Sequence, residues 1–177
     1  MKPKVKQIKE FLSESNAIER VYDEQSLKDS VHAFGFLLKQ AKKGINPYII
    51  LQVHELLMEN VGAWSEPKLL PKYRGVIRDC PVYIGGKEAL KHTEIEAHLT
   101  YWCEIMNTNN QHLTPASKED ISKQLHVVYE AIHPFVDGNG RTGRMFMNWW
   151  RIRNGLPLLI IHEGEEQYEY YQWFRNN

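Results

Sequence analysis

Apolar side chains recur at helical spacing through most of the chain, so the hydrophobic pattern predicts an all-α fold. Glycines, prolines and capping residues separate the apolar runs, as with Gly44 and the Asn46-Pro47 pair. Thr93 with Glu96, and Ser117 with Asp120, are predicted to begin two of the helices. The predicted helices span about 3–12, 24–43, 47–61, 93–107, 117–132, 141–153 and 165–174.

The pattern changes between residues 63 and 86, where three prolines interrupt the helical spacing. Two short runs, Val76-Ile77 and Val82-Tyr83-Ile84, are separated by four residues that end in Pro81. This arrangement predicts a small β-hairpin over about 73–84, with the proline at a strand start or edge. Such a hairpin either has a structural role only or offers an edge on which an extended peptide docks.

Residues 133–144, which read HPFVDGNGRTGR, concentrate the chemistry-bearing side chains. Gly138, Asn139 and Gly140 adopt turn conformations at little cost, and their successive N–H groups can form a nest for an anion. The turn precedes the helix predicted over 141–153, whose N-terminus also favours phosphate. The spacing therefore predicts a phosphate-binding turn.

Charged and titratable side chains surround that turn. Arg141 and Arg144 are three residues apart and share one helix face, and their guanidinium forks suit phosphate oxygens. Asp137 can hold Mg²⁺ through one carboxylate while phosphates supply other ligands. His133 has a pKa suited to taking a proton near neutral pH. Together these residues indicate a site that binds a triphosphate and moves a proton beside it.

This stretch resembles the signature of the Fic domain family, H-x-F-x-[D/E]-G-N-G-R-x-x-R. Fic domains are mostly helical, and most active members transfer AMP from ATP to a hydroxyl of a target protein and release pyrophosphate. The resemblance implies one all-α Fic domain over 1–177 with a small hairpin flap. The matching residues are His133, Phe135, Asp137, Gly138, Asn139, Gly140, Arg141 and Arg144.

The resemblance also implies a role for each of these residues. His133 is the general base for a Tyr, Thr or Ser hydroxyl, Asp137 holds the Mg²⁺ that bridges the phosphates, and Phe135 anchors the loop to the core. The phosphates are expected to bind the backbone amides of residues 138–140 and Asn139. Arg141 and Arg144 are expected to bind the outer phosphates. The flap is expected to hold the target by strand-like pairing through Val82, Tyr83 and Ile84.

Near the N-terminus, within residues 3–22, Ser15 and Glu19 resemble the inhibitory pattern [S/T]-x-x-x-E-[G/N] of many Fic proteins. Arg20 stands where the pattern has Gly or Asn. In that family the inhibitory Glu pairs with the second motif arginine, here Arg144, and occupies the place of the outer phosphate. Without the resemblance, the residues themselves favour the simpler interpretation that Glu19 is a plain surface acid.

Other polar and aromatic residues carry weaker signals. His54, in an apolar stretch, is predicted to bind a backbone partner at the edge of the core. His126 is predicted to be structural or to support the site, since two helical turns, about 10.5 Å, separate it from His133. That distance disfavours a zinc hydrolase. In the last predicted helix, Tyr168 or Tyr171 either packs on the core or lines the adenine pocket that the resemblance implies.

Composition excludes some functional classes. Lys+Arg and Asp+Glu number 22 each, so the formal net charge is zero, which argues against broad electrostatic binding to nucleic acid or to a membrane surface. Cys80 and Cys103 provide neither a disulfide framework nor metal-ligand spacing, which fits a reducing compartment. No signal peptide or membrane-spanning run is visible. The expected location is the cytoplasm, with secretion as an effector left open.

The sequence thus leads to one hypothesis and two alternatives. The hypothesis is transfer of AMP from Mg²⁺–ATP to a target protein, with Glu19 holding the enzyme inactive and homo-oligomer formation left open. The first alternative is the same fold with another nucleotide or group donor, or one that removes AMP. The second is a nucleotide-binding regulatory module without turnover.

Overall fold

The computed structural model describes residues 3–60, 71–84 and 86–175. Within these residues the chain folds into seven α-helices, two short 3₁₀-helices at Pro71–Tyr73 and His92–Glu94, and one antiparallel pair of strands. The all-α prediction with a small hairpin is confirmed. The helices are α1 (Val5–Ile18), α2 (Glu24–Gln40), α3 (Pro47–Leu57), α4 (Ile95–Asn107), α5 (Pro115–Ile132), α6 (Asn139–Arg153) and α7 (Glu165–Gln172), and the strands are β1 (Tyr83–Ile84) and β2 (Lys87–Glu88).

Side-chain caps set the start of three helices. Asp23 accepts the Ser26 N–H at 2.8 Å at the start of α2, and Asn46 accepts the Ile49 N–H at 3.0 Å at the start of α3. At α5 the cap is Thr114 rather than Ser117, because Pro115 already occupies the first helical position.

Two further predicted helix starts and ends are wrong. α1 continues to Ile18 instead of ending near residue 12, because its last two turns are buried against the rest of the protein. The capping box of Thr93 and Glu96 does not form, since a 3₁₀ turn leads into α4 and its N-cap, Glu94, makes no side-chain cap bond.

α6 is the central helix of the fold. Of its 15 residues, 12 are buried, and it contacts α1, α2, α3 and α5. A helix buried on every side belongs to the core rather than to the surface. Phe146 of α6 packs edge-on against Trp102 of α4, with ring centroids 5.8 Å apart. The motif residues at the start of α6 are therefore fixed in the middle of the protein.

The hairpin lies later in the chain than predicted. Tyr83 pairs with Glu88, and Ile84 pairs with Lys87. The first predicted strand, Val76-Ile77, does not pair with them, because Ile77 packs against the core and the adjoining Arg78 N–H donates to the Pro134 carbonyl at 2.9 Å. The predicted span of 73–84 is therefore wrong, since the paired residues are Tyr83 and Ile84 with Lys87 and Glu88.

The described cysteines and helices add two observations. Both thiols are free, and burial raises the pKa of Cys103 in α4 to about 12, so this thiol is an unreactive part of the core.

Across residues 3–60, 71–84 and 86–175, none of the helices is both long enough and apolar enough to cross a membrane.

Leu99 of α4 is fully buried, and Leu99→Ala is expected to lower the free energy of unfolding by about 2–5 kcal/mol because a cavity replaces its contacts. Urea denaturation followed by circular dichroism measures the change. Tyr101→Ala, at a position that is 64% exposed on the same helix, is the matched control and should change stability by less than about 0.5 kcal/mol. Equal losses in both variants would contradict the buried face assigned to α4.

Candidate active site

His133 ends α5 and lines a cavity of about 690 Å³. Its backbone is left-handed, with φ 48° and ψ 63°. Burial lowers the pKa of His133, and the positive charge of Arg78 lowers it further. A hydrogen bond with the Glu130 backbone and the negative charges of Asp137 and Glu19 oppose this shift. The imidazole is therefore neutral near pH 7, which is the form that accepts a proton.

The loop between α5 and α6 is anchored by Phe135 and Asn139. Phe135 is fully buried and stacks on the His54 ring, with centroids 3.7 Å apart. The Asn139 side chain accepts the Phe135 N–H at 2.9 Å and donates to the Phe135 carbonyl at 2.8 Å. The Asn139 side chain therefore holds the turn of the loop through both its oxygen and its nitrogen.

His54 of α3 holds the other side of this loop. The Gly75 N–H donates to Nδ1 at 2.9 Å, so Nε2 carries the proton and donates to the Asp137 carbonyl at 3.0 Å. Burial lowers the pKa of His54 to about 4, which keeps the ring neutral. The prediction of a histidine with a backbone partner is confirmed, although the ring is buried rather than at the core edge.

The start of α6 is occupied by a carboxylate of the same chain. Gly138 is the N-cap with φ 79°, and the cavity is lined by Gly138, Asn139 and Gly140. A Cβ atom at Gly140 would collide with the carboxylate of Glu19, so only glycine leaves room for it there. An anion at a helix N-terminus interacts favourably with the dipole and with unpaired N–H groups.

Arg144 is 2% exposed and donates to two elements that are distant in sequence. Its Nε and Nη2 atoms donate to the side chain and carbonyl of Ser15 at 2.9 and 2.8 Å. Nη2 also lies 2.8 Å from Glu19 Oε1, and Nη1 lies 3.0 Å from the hydroxyl of Tyr170. The structure thus brings together Ser15, Glu19 and Arg144, which the resemblance had linked.

Arg141 is equally buried but poorly paired. Its Nη2 lies 3.4 Å from the Met58 sulfur and 3.9 Å from Asp137 Oδ2. Its Nε and Nη1 atoms are buried and have no hydrogen-bond partner among the described residues. Unpaired buried donors of a cation are unfavourable. Arg141 is not among the described residues that line the cavity, whereas Arg144 is.

The Asp137 carboxylate is 54% exposed beside these groups. One oxygen accepts the Gly138 N–H at 2.6 Å, and the other faces Arg141. Among the residues that the structure describes, no three or more His, Cys, Asp and Glu side chains form a group that could hold a metal. A Mg²⁺ ion at Asp137 therefore fits only if a substrate supplies further oxygen ligands, as phosphates do.

Tyr170, rather than its neighbours, is the α7 tyrosine that contacts the motif. Its hydroxyl accepts from Arg144 and lies 2.8 Å from Nε2 of His126, whose pKa is lowered by burial to about 3. Tyr171 lines the cavity, but Tyr168 is 61% exposed and does not. The prediction that Tyr168 or Tyr171 lines a pocket therefore holds for Tyr171 and not for Tyr168. No local signal separates the three tyrosines, because the docking of α7 decides which one is buried.

Glu130 is a further cavity residue that the sequence analysis missed. Its Oε2 lies 3.8 Å from Nδ1 of His133, one helical turn along α5. Burial raises the pKa of Glu130 to about 7, although Arg144 opposes the shift and Glu19 adds to it. The i, i+3 spacing from His133 is the signal that could have found it.

The hairpin borders the same cavity. Ile84, Lys87 and Glu88 line it, and Tyr83 and Ile84 are both exposed. Val82 precedes β1, and its carbonyl accepts the Ala89 N–H at 2.9 Å. The residues expected to form a docking flap therefore lie beside the cavity that His133 lines.

The end of α1 explains how Glu19 is positioned. Arg20 is left-handed with φ 58°, its N–H donates to Ala17, and the Val21 N–H donates to Asn16 at 3.0 Å. These bonds form a Schellman motif in which Glu19 is the C-cap. Because this turn favours Gly or Asn, the backbone gives a physical reason for those residues in the inhibitory pattern. Arg20 adopts the turn at a cost of about 1–2 kcal/mol.

Comparison with known proteins reveals related sequences. A family model described as the Fic/DOC family matches residues 44–150. The protein adenylyltransferase Fic of Aedes aegypti is 28% identical over 126 residues, and that of Drosophila sechellia is 36% identical over 126 residues. Each alignment covers 71% of this chain but 23% of the relative, so this chain matches less than a quarter of their length.

Solved structures show the same fold. A Fic domain containing signaling protein from Bacteroides thetaiotaomicron is 21% identical with a TM-score of 0.74, over 94% of this chain and 70% of that chain. Fic-1 from C. elegans is 19% identical with a TM-score of 0.72, over 95% of this chain and 54% of that chain. BepC from Bartonella tribocorum, solved with bound AMPPNP, is 17% identical with a TM-score of 0.51, over 79% of this chain and 69% of that chain.

Arg20→Gly is expected to raise the free energy of unfolding by about 1 kcal/mol, because glycine relieves the left-handed strain at the end of α1. The higher conformational entropy of glycine in the unfolded chain offsets part of this stabilisation. Urea denaturation measures the change. Arg20→Ala removes the same charge but keeps the strained conformation, so it should leave stability nearly unchanged. A similar gain in both variants would point to charge instead and contradict the strain.

Proposed function

Because the chain belongs to the Fic/DOC family, we propose that it transfers AMP from Mg²⁺–ATP to a hydroxyl side chain of a target protein. The observation that carries this proposal is that one cavity is lined both by His133, whose imidazole is neutral, and by Asp137, Gly140 and Arg144 around the start of α6. The relatives named protein adenylyltransferases support the same chemistry.

The nucleotide phosphates are proposed to bind at the start of α6. Arg144 lines the cavity there, and the first N–H groups of α6 add donors and a favourable dipole. The Arg144 guanidinium can bind a phosphate in place of the Glu19 carboxylate, because both groups offer oxygen acceptors to its paired N–H donors. This placement leaves the α-phosphate toward His133.

Asp137 is proposed to hold Mg²⁺ through its exposed carboxylate. When bound, the ion neutralises phosphate charge and helps pyrophosphate to leave. The Asp137 carboxylate is oriented by the Gly138 N–H, and its backbone is held by His54. These contacts keep the ligand in place before any metal arrives.

His133 is proposed to act as the general base. Its Nδ1 is buried and faces Glu130, which leaves Nε2 for the substrate. Nε2 takes the proton of the target hydroxyl while that oxygen forms a bond to the α-phosphorus. The bond from the α-phosphorus to the bridging oxygen breaks, and pyrophosphate leaves. The target is proposed to dock on the hairpin edge formed by Tyr83 and Ile84, through backbone hydrogen bonds.

Glu19 is proposed to inhibit this reaction. Its carboxylate already binds Arg144 and covers Gly140, which is where an outer phosphate would bind. A phosphate at the same place would be repelled by the negative charge of Glu19 and would find fewer unoccupied N–H donors on Arg144. Ser15 adds to the inhibition by holding the rest of the Arg144 guanidinium on α1.

Glu19→Gly is expected to raise the transfer of label from α-labelled ATP by at least about tenfold, since Arg144 is freed for phosphate. Self-labelling and labelling of a cell lysate with Mg²⁺ provide the measurement. In Glu19→Gly/His133→Ala the label should disappear while ATP binding persists, because the base is lost and the phosphate donors remain. Glu14→Gly, on the same helix, is the matched control and should behave as the wild type.

The same experiment separates the alternatives. Label from γ-labelled ATP would indicate a kinase-like reaction, and near-parental rates in the double variant would remove His133 from its role. An absence of label from either position, with ATP bound, would contradict AMP transfer and favour another donor or a regulatory module.

Asp137→Ala in the Glu19→Gly background is expected to lose at least about 100-fold in transfer, since metal-held phosphate charge contributes several kcal/mol to such reactions. Raising the Mg²⁺ concentration through the range that saturates transfer by the Glu19→Gly parent should not restore transfer by Asp137→Ala. Asp137→Asn is the control for loop structure, because it keeps an acceptor for the Gly138 N–H. Full Mg²⁺-dependent activity in either variant would contradict the metal assignment.

A further inference from the structure

Arg78 is a buried arginine that lies outside the motif. It is 2% exposed, and burial lowers its pKa. Its Nε donates to the His133 carbonyl at 2.7 Å, Nη1 donates to the Cys80 carbonyl at 2.8 Å, and Nη2 donates to the Leu90 carbonyl. Among the described residues it forms no ion pair with a carboxylate. A buried charge of this kind persists only where hydrogen bonds compensate for its lost hydration.

The three carbonyl groups belong to two functional parts of the site. His133 carries the proposed base, whereas Cys80 and Leu90 flank the β1–β2 hairpin on its two sides. Two backbone bonds strengthen the same junction: the Arg78 N–H donates to Pro134 at 2.9 Å, and the Leu90 N–H donates to Ala131 at 3.4 Å. One guanidinium therefore ties both ends of the hairpin to the end of α5.

The backbone of His133 needs such a contact. A left-handed conformation costs a residue other than glycine about 1–2 kcal/mol, and a following proline further biases the residue toward extended conformations. Strained residues of this kind persist where the surrounding structure holds them. The His133 carbonyl that results from this conformation is the one that Arg78 binds.

We propose that Arg78 is a positioning residue that holds His133 in its left-handed conformation and joins it to the hairpin as one unit. This rests on the proposed function, in which the hairpin presents the hydroxyl that His133 deprotonates. Only a guanidinium can reach three carbonyls in a fixed fork, since a lysine ammonium is a single point on a flexible stem. Arg78 contacts neither the proposed phosphate site nor the reacting atoms.

The kinetic test uses Arg78→Lys and Arg78→Ala in the Glu19→Gly background, with self-labelling from α-labelled ATP as the readout. The maximal rate is expected to fall about 100-fold, as for a base displaced by about 1 Å, while the apparent KM for ATP stays within about twofold. Guanidinium chloride, far below denaturing concentrations, should partly restore Arg78→Ala by filling the vacated site.

Arg151→Ala is the matched control. Arg151 is also 2% exposed and donates to the Pro157 carbonyl and to Glu119, two turns along α6 from Arg144. Its loss should lower stability without changing the maximal rate at temperatures below unfolding. An equal loss of maximal rate in Arg78→Ala and Arg151→Ala would overturn the proposal. So would a maximal rate in Arg78→Ala within about threefold of the parent.

A second readout does not depend on activity. Hydrogen exchange at the amides of residue 78 and Leu90 should rise at least about tenfold in Arg78→Lys, because the junction between hairpin and α5 loosens, and should not rise in Arg151→Ala. If the Glu19→Gly parent transfers no AMP, the proposed function fails and this exchange alone decides the role of Arg78. Unchanged exchange would overturn that role.

Discussion

The buried positive charge of Arg144 is the constraint on which the arrangement of the site depends. A guanidinium at the start of a central helix must find acceptors, and these come from α1 and α7. Ser15, Glu19 and Tyr170 therefore meet around it although 26 to 129 residues separate them from Arg144 in sequence. Any anion that binds Arg144 competes with contacts that also hold these helices together, so binding and helix docking are coupled.

The loop before α6 is held in a different way, by hydrogen bonds to its own backbone. His54 binds the Asp137 carbonyl, Asn139 binds both backbone groups of Phe135, and Arg78 binds the His133 carbonyl. Such contacts fix where the side chains of the loop begin without using the side chains that face the cavity. The loop can thus hold His133, Asp137 and the first turn of α6 in one arrangement around the cavity before a substrate binds.

Much of the fold and part of the site could be predicted from the sequence. Helical periodicity located the seven helices of the described residues, because that signal is local, whereas the caps predicted for α4 and α5 were wrong. The hairpin was predicted in the wrong register, since Val76-Ile77 has strand-like composition but packs against the core. Arg78 and Tyr170 were missed, because nothing near them in sequence indicates the groups that they contact. Glu130 was missed although its i, i+3 spacing from His133 is a local signal.

The family-specific turn, the helix that carries it and the chemical types of residue at 133–144 follow from the amino-acid sequence alone. Those features depend on neighbours within a few positions, so a linear pattern records them. It is the packing of the helices that places Glu19 over Gly140, leaves donors of Arg141 unpaired and joins the hairpin to His133 through Arg78. These facts depend on contacts between distant segments, whose geometry follows from how the helices pack rather than from any local pattern.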